Sequence, residues 1–176
     1  DSQSFLIGHK DEITAAAQSP KNGNIIATGC SQLKRKNDTP KTIVWDCSSK
    51  RAICEFQSPH LKRQVDALSF DGSGRWIFAA GAGDKHNVVC FDLDAQQQTG
   101  PPISAGPSRV LAMSFDARNN GLYIAGVKSL QYSLFSGGGL RPPTRISSET
   151  CISVACSPHD GVAYVGMASG RLSTFH

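Results

Sequence analysis

Lysine and arginine are the side chains whose grouping in this sequence points most directly to chemistry. Lys34, Arg35, Lys36 and Lys41 fall within one polar run, SQLKRKNDTPK, and Lys62 and Arg63 stand in the next polar segment, with only Asp38 opposing them inside these two stretches. Cations at that density favour an acidic partner, through a field that salt screens over about 8 Å at physiological ionic strength. The competing reading of the same residues is a solvated loop that keeps the surface soluble and binds nothing. His60, His86, His159 and His176 show no H-x-x-x-H spacing and no cysteine at zinc-ligand distance, so no metal is assigned. Gly137-Gly138-Gly139 follows an apolar run and leads into Leu-Arg-Pro-Pro instead of opening a helix, so it reads as a flexible inter-strand connection and not a phosphate cradle. There is no G-x-S-x-G elbow, and no pair of carboxylates stands out as an acid and base. No catalytic residue and no cofactor is expected, and the chain reads as a non-enzyme.

The elements that must position these side chains emerge from internal repetition. ITAAAQSP (13–20), VDALSFDG (65–72), VLAMSFDA (110–117) and ISVACSPH (152–159) each begin β-branched, continue small and apolar, and end polar. At or near each end stands Asn22-Gly23, Asp71-Gly72, Asn120-Gly121 or Asp160-Gly161, pairs that accept the positive φ of a tight hairpin. A second strand follows in each unit (IIATG, WIFAAG, LYIAG, AYVG), ending at Gly29, Gly81, Gly126 or Gly166. A third then ends in Trp45, Phe91, Phe135 or Phe175, separated by 46, 44 and 40 residues. Such a period belongs to WD40 β-propeller blades of roughly 40–45 residues. The first unit also carries Gly8-His9 ahead of its inner strand and Trp45-Asp46 at the end of its third, the signature of this repeat, in which the histidine hydrogen-bonds within the blade and does no chemistry.

The expected fold is therefore all-β: four-stranded antiparallel blades forming an incomplete ring of about four, drawn from a larger propeller. The units span 8–57, 58–103, 104–147 and an incomplete 148–176, with 1–7 as the outer strand of a preceding blade. The missing initiator Met and the lack of a fourth strand before His176 carry the expectation of further blades, since closed rings have roughly four to eight.

Bulk composition agrees with a folded domain. Hydrophobic residues make up 39% and charged residues 18% of 176, which excludes a disordered tail. The longest apolar runs are far short of the roughly 20 residues that cross a bilayer, and no signal-peptide pattern opens the chain, so no membrane role is expected. A net charge of +4 is too small to indicate nucleic acid. Cys30, Cys47, Cys54, Cys90, Cys151 and Cys156 form no C-x-x-C pair and read as reduced, intracellular, mostly buried thiols.

Three features go beyond a generic blade: GHKDEI followed by IATG, the insertion SQLKRKNDTPK ahead of IVWD, and GVKSLQYSLFSGGGL in the third unit. In order and spacing these resemble the N-terminal propeller of the echinoderm microtubule-associated-protein-like family, and related WD-repeat proteins of ciliary doublet microtubules share the opening and the insertion. The resemblance implies a scaffold that binds tubulin and other proteins within a larger assembly, located in the cytoplasm and on microtubules, including those of the cilium or flagellum axoneme. Second-to-third strand loops and inter-blade loops emerge on the same face of a propeller. Lys34, Arg35, Lys36, Lys41, Lys62 and Arg63 are thus expected to form one basic patch facing acidic tubulin. A general protein-interaction adaptor unrelated to tubulin is the alternative, and its binding would survive neutralising the insertion.

Overall fold

The computed structural model describes residues 5–32 and 39–176. Among these residues there is no helix, and the strands gather into four antiparallel sheets in which neighbours in sequence are neighbours in space. The first sheet is β1 (Ile13–Gln18), β2 (Ile25–Cys30), β3 (Lys41–Asp46) and β4 (Arg51–Gln57). The second is β5 (Val65–Phe70), β6 (Trp76–Gly81), β7 (Asn87–Asp92) and β8 (Gln97–Ser104). In the third, β9 (Val110–Asp116), β10 (Gly121–Gly126) and β11 (Ser129–Ser136) are followed by a split outer strand, β12 (Gly139–Leu140) and β13 (Thr144–Ser147), both paired to β11. The fourth is β14 (Cys151–Cys156), β15 (Ala163–Met167) and β16 (Leu172–Phe175). These meanders, with inner strands β1, β5, β9 and β14 packed on one another in sequence order, are propeller-like blades.

WIFAAG in β6 shows why the second strands read as unbroken apolar runs. Side chains alternate across a sheet, and this sheet is covered on both faces. Ile77 and Ala79 enter the core shared with the first sheet, beside Val44, Val65 and Phe91. Phe78 and Ala80 enter the core shared with the third, beside Met113, Leu122 and Phe135. Close approach of β2 to the inner strand of the next sheet demands a small residue: a Cβ on Gly29 would stand 2.5 Å from the Val65 Cβ. The outward face of the fourth sheet is open, Tyr164 and Leu172 being exposed while Ala163 and Val165 are buried. Phe5 and Ile7, read from sequence as part of a preceding outer strand, are exposed and outside any strand; residues 1–4 lie outside the described residues.

The strand register corrects one alignment. Trp45 pairs with Ile26, Phe91 with Ile77 and Phe175 with Ala163, which are equivalent positions counted from each inner-strand pairing. In the third sheet the equivalent of Ile26 is Leu122, and it pairs with Ser133, not Phe135. The structural period is thus 46, 42 and 42 residues. The cause is the turn between β10 and β11, which is only Val127-Lys128 and starts the third strand early.

The turns differ in part from expectation. Asn120 (φ 53°) and Gly161 (φ 72°) adopt the left-handed conformation, but Asn22-Gly23 and Asp71-Gly72 do not. The second unit places it at Gly74 (φ 73°), after Asp71 has accepted hydrogen bonds from the Trp76 and Ser73 amides. Gly137 and Gly138, at φ 60° and 77°, form the tight hairpin between β11 and β12, so the triple glycine is a defined turn and not a slack connection. Two outer strands bulge at prolines: Gly100-Pro101-Pro102 opposite Val89, and Arg141-Pro142-Pro143 between β12 and β13.

Candidate interaction face

His9 precedes β1, Thr28 lies in β2 and Trp45 in β3, and the three converge on one hydroxyl. Trp45 Nε1 donates to Thr28 Oγ1 at 2.7 Å, and His9 Nε2 lies 2.7 Å from the same oxygen. Trp45 is buried, and His9 Nδ1 has no partner among the described residues. The arrangement commits the imidazole to holding the segment ahead of β1 against the sheet. In the second sheet the same positions are Leu61, Ala79 and Phe91, all in one apolar cluster. Loss of the indole donor there is matched by loss of the acceptor and of the histidine, so no polar group is stranded.

Burial pushes the His9 imidazole below its ordinary value of 6.5, outweighing its hydrogen bond with Thr28 and the attraction of Glu55. With the folded value lowered, the unfolded chain takes up the proton first as pH falls. Neutral His9 therefore contributes stability that is complete above about 6.5 and is lost as pH drops through the folded value. The melting temperature should fall over that window in wild type and fall less in His9→Gln; superimposable profiles would refute the assignment.

Asp46, the third signature residue, lies at the opposite end of β3 from His9. It accepts from the Ser48 amide and hydroxyl at 2.9 and 2.6 Å, and these bonds hold its carboxyl below the usual carboxylate range. Its role is to close the β3–β4 turn.

Of the six candidate basic residues, Lys34, Arg35 and Lys36 lie outside the described residues. Lys41, at the start of β3, is half-buried and its Nζ donates to Glu55 on β4 at 2.7 Å. It also lines a cavity of about 370 Å³ with His9, Lys10, Cys30, Gln32 and Thr39. Lys62 and Arg63 are exposed in the segment before β5. The Arg63 carbonyl accepts from the Gln32 amide at 2.6 Å, so the structure brings the end of β2 beside the inter-sheet segment. Asp84 is 3.9 Å from Arg63, a loose contact between exposed groups. The opposing acids thus come from other strands and loops, which a count within two stretches of sequence does not include.

A neighbouring ion pair carried no sequence signal. Asp66, whose side chain is fully buried at the start of β5, accepts from Arg109 Nε at 3.0 Å and from Gln64 Nε2 at 2.7 Å, with Arg109 Nη2 paired to the same carboxylate at 2.9 Å. Its residues are scattered between positions 64 and 109, and only the sheet packing joins them. His86 Nδ1 stands 3.9 Å from Asp66 Oδ2, and neither atom has a hydrogen-bond partner among the described residues. No three His, Cys, Asp or Glu side chains converge on a metal-sized site among the described residues. All six cysteines are free thiols, and burial pushes Cys54 and Cys156 up to about 11 and Cys90 to about 12, which leaves them weakly nucleophilic.

No protein-family model matches the chain. Over 92 residues, 52% of its length, it is 33% identical to Cilia- and flagella-associated protein 52 of Chlamydomonas reinhardtii, and the matched segment covers 14% of that relative.

Proposed function

We propose that the chain is a non-catalytic scaffold segment of the ciliary or flagellar cytoskeleton that binds tubulin through Lys34, Arg35, Lys36, Lys41, Lys62 and Arg63. The observation that carries this reading is the identity shared over half the chain with a protein named for cilia and flagella. The kinship with the echinoderm microtubule-associated-protein-like family belongs to the same reading, as do blades at 8–57, 58–103, 104–147 and 148–176. The non-catalytic part is supported by an imidazole committed to Thr28 and by thiols that burial holds protonated.

Co-sedimentation with microtubules tests it. Wild type should pellet at low salt and be released as salt rises, because exposed charges are screened beyond about 10 Å at 0.1 M. Lys34→Ala/Arg35→Ala/Lys36→Ala should weaken pelleting by about tenfold, the equivalent of roughly 1.4 kcal/mol. Folded protein that stays in the supernatant at low salt would remove tubulin as the partner and leave the general adaptor.

A further inference from the structure

The two ends of the sheets carry different charge. Strand boundaries assign each charged residue to one end. At the end holding the β1–β2 and β3–β4 turns and their equivalents, the described residues comprise six basic and six acidic side chains. The acids there are largely committed to structure: Asp46, Asp71, Asp92, Asp116 and Asp160 each accept backbone amides in turns. At the opposite end the described residues comprise nine basic and six acidic side chains, so the excess positive charge lies there.

That excess is concentrated on the second and third sheets. Lys62, Lys85 and Lys128 are exposed, and none of them makes an ion pair among the described residues. Of the acids nearby, Asp66 is buried under Arg109 and Glu149 pairs with Arg171 at 2.6 Å, while Asp84 stays exposed 3.9 Å from Arg63. Hydrogen bonds link the loops within each sheet, and the Ala105 amide, donating to the His86 carbonyl at 3.2 Å, and the Arg109–Asp66 pair join the two sheets into one ridge. Gln64 O accepts from the Ala82 amide at 3.0 Å, Arg109 O accepts from the Val127 amide at 3.0 Å, and the Arg145 guanidinium donates to the Lys128 carbonyl. Along it Arg63 and Lys128 are held at φ 62° and 51°, where glycine would sit without strain. A side chain is presented there at a cost to the backbone.

We propose that this ridge, through Lys62, Arg63, Lys85 and Lys128, is a docking track for an extended acidic polypeptide. The surface holds separated cations on flexible stems, which suits a run of carboxylates. Single-stranded nucleic acid is disfavoured because the loops at 58–64, 82–86, 105–109 and 127–128 contain no Phe, Tyr or Trp on which bases could stack. The proposal rests on the scaffold reading but not on tubulin.

Fluorescence anisotropy of a short labelled polyglutamate peptide, titrated with the full chain at about 0.05 and about 0.3 M salt, tests the track. Lys62→Ala/Lys85→Ala/Lys128→Gly should weaken binding by about tenfold with an unchanged melting temperature, the glycine being the residue that the Lys128 backbone prefers. Lys21→Ala/Arg51→Ala/Arg118→Ala, which removes equal charge from the other end, should change it by less than about twofold. Equal losses in both variants, no peptide binding at low salt, or tighter binding of a labelled oligonucleotide of equal charge would each overturn the proposal. Peptide binding that depends on the ridge, in a chain that fails to pellet with microtubules, would uphold the track while removing tubulin.

Discussion

Phe78→Ala is expected to destabilise the folded chain by about 3–5 kcal/mol. Phe78 is fully buried in β6, where the second and third sheets meet. Its ring stacks on Phe115 at 5.5 Å between centroids and 10° between planes, and meets Phe135 edge-on at 5.2 Å and 81°. Aromatic contacts of this kind add about 0.5–1.5 kcal/mol beyond the buried area. Alanine would leave a cavity whose walls are strands held by backbone ladders, so they cannot collapse to fill it. Urea denaturation would measure the loss, with Phe78→Leu as the control that keeps most of the volume. A change under about 1 kcal/mol for alanine would mean that this interface stands outside the cooperative core.

The second large effect is polar. Thr28→Val removes one hydroxyl at nearly constant shape and strands the buried Trp45 indole N–H, an expected cost of about 1–3 kcal/mol. His9 loses the same partner, but it is partly exposed and turns to water more readily. Thr28→Ser keeps both hydrogen bonds and should lose only the packing of one methyl, about 0.8 kcal/mol. Repeating the Thr28→Val change in a Trp45→Phe background should abolish most of its cost, since no indole is then left unpaired. If the cost is the same in both backgrounds, the hydroxyl does not act through the tryptophan.

That second experiment bears on what the sequence made legible. Phe91 and Phe175 could be aligned with Trp45 because strand spacing is set by blade geometry and an aromatic there fills the same slot. Whether phenylalanine weakened the later blades was not readable, because Ala79 and Leu61, the residues that make Phe91 comfortable, are recognised only once register pairs them with Thr28 and His9. Phe135 misled for a different reason. Counting along the chain assumes equal turns, and the two-residue turn at Val127-Lys128 moves Ser133 into the slot while Phe135 packs against Trp76 and Phe78. The basic patch was legible as composition only. Pairing of Lys41 with Glu55 and burial of Asp66 beneath Arg109 depend on contacts across strands and between sheets. Neither Lys85 nor Lys128 stood out, each being a lone cation in a short turn.

The prolines of the outer strands carry a consequence for how this molecule can be recognised. β8 and the β12–β13 strand are the free edges of their sheets, and an edge strand is normally a template on which another chain can add itself as one more strand. Pro101, Pro102, Pro142 and Pro143 have no N–H to offer such a guest, and the bulges they create break the straight run of carbonyls that it would need. The rim of the second and third sheets is thereby made a poor template for strand addition and for edge-to-edge aggregation alike. The loop ends of these two sheets, by contrast, present side chains and not a ladder of backbone groups.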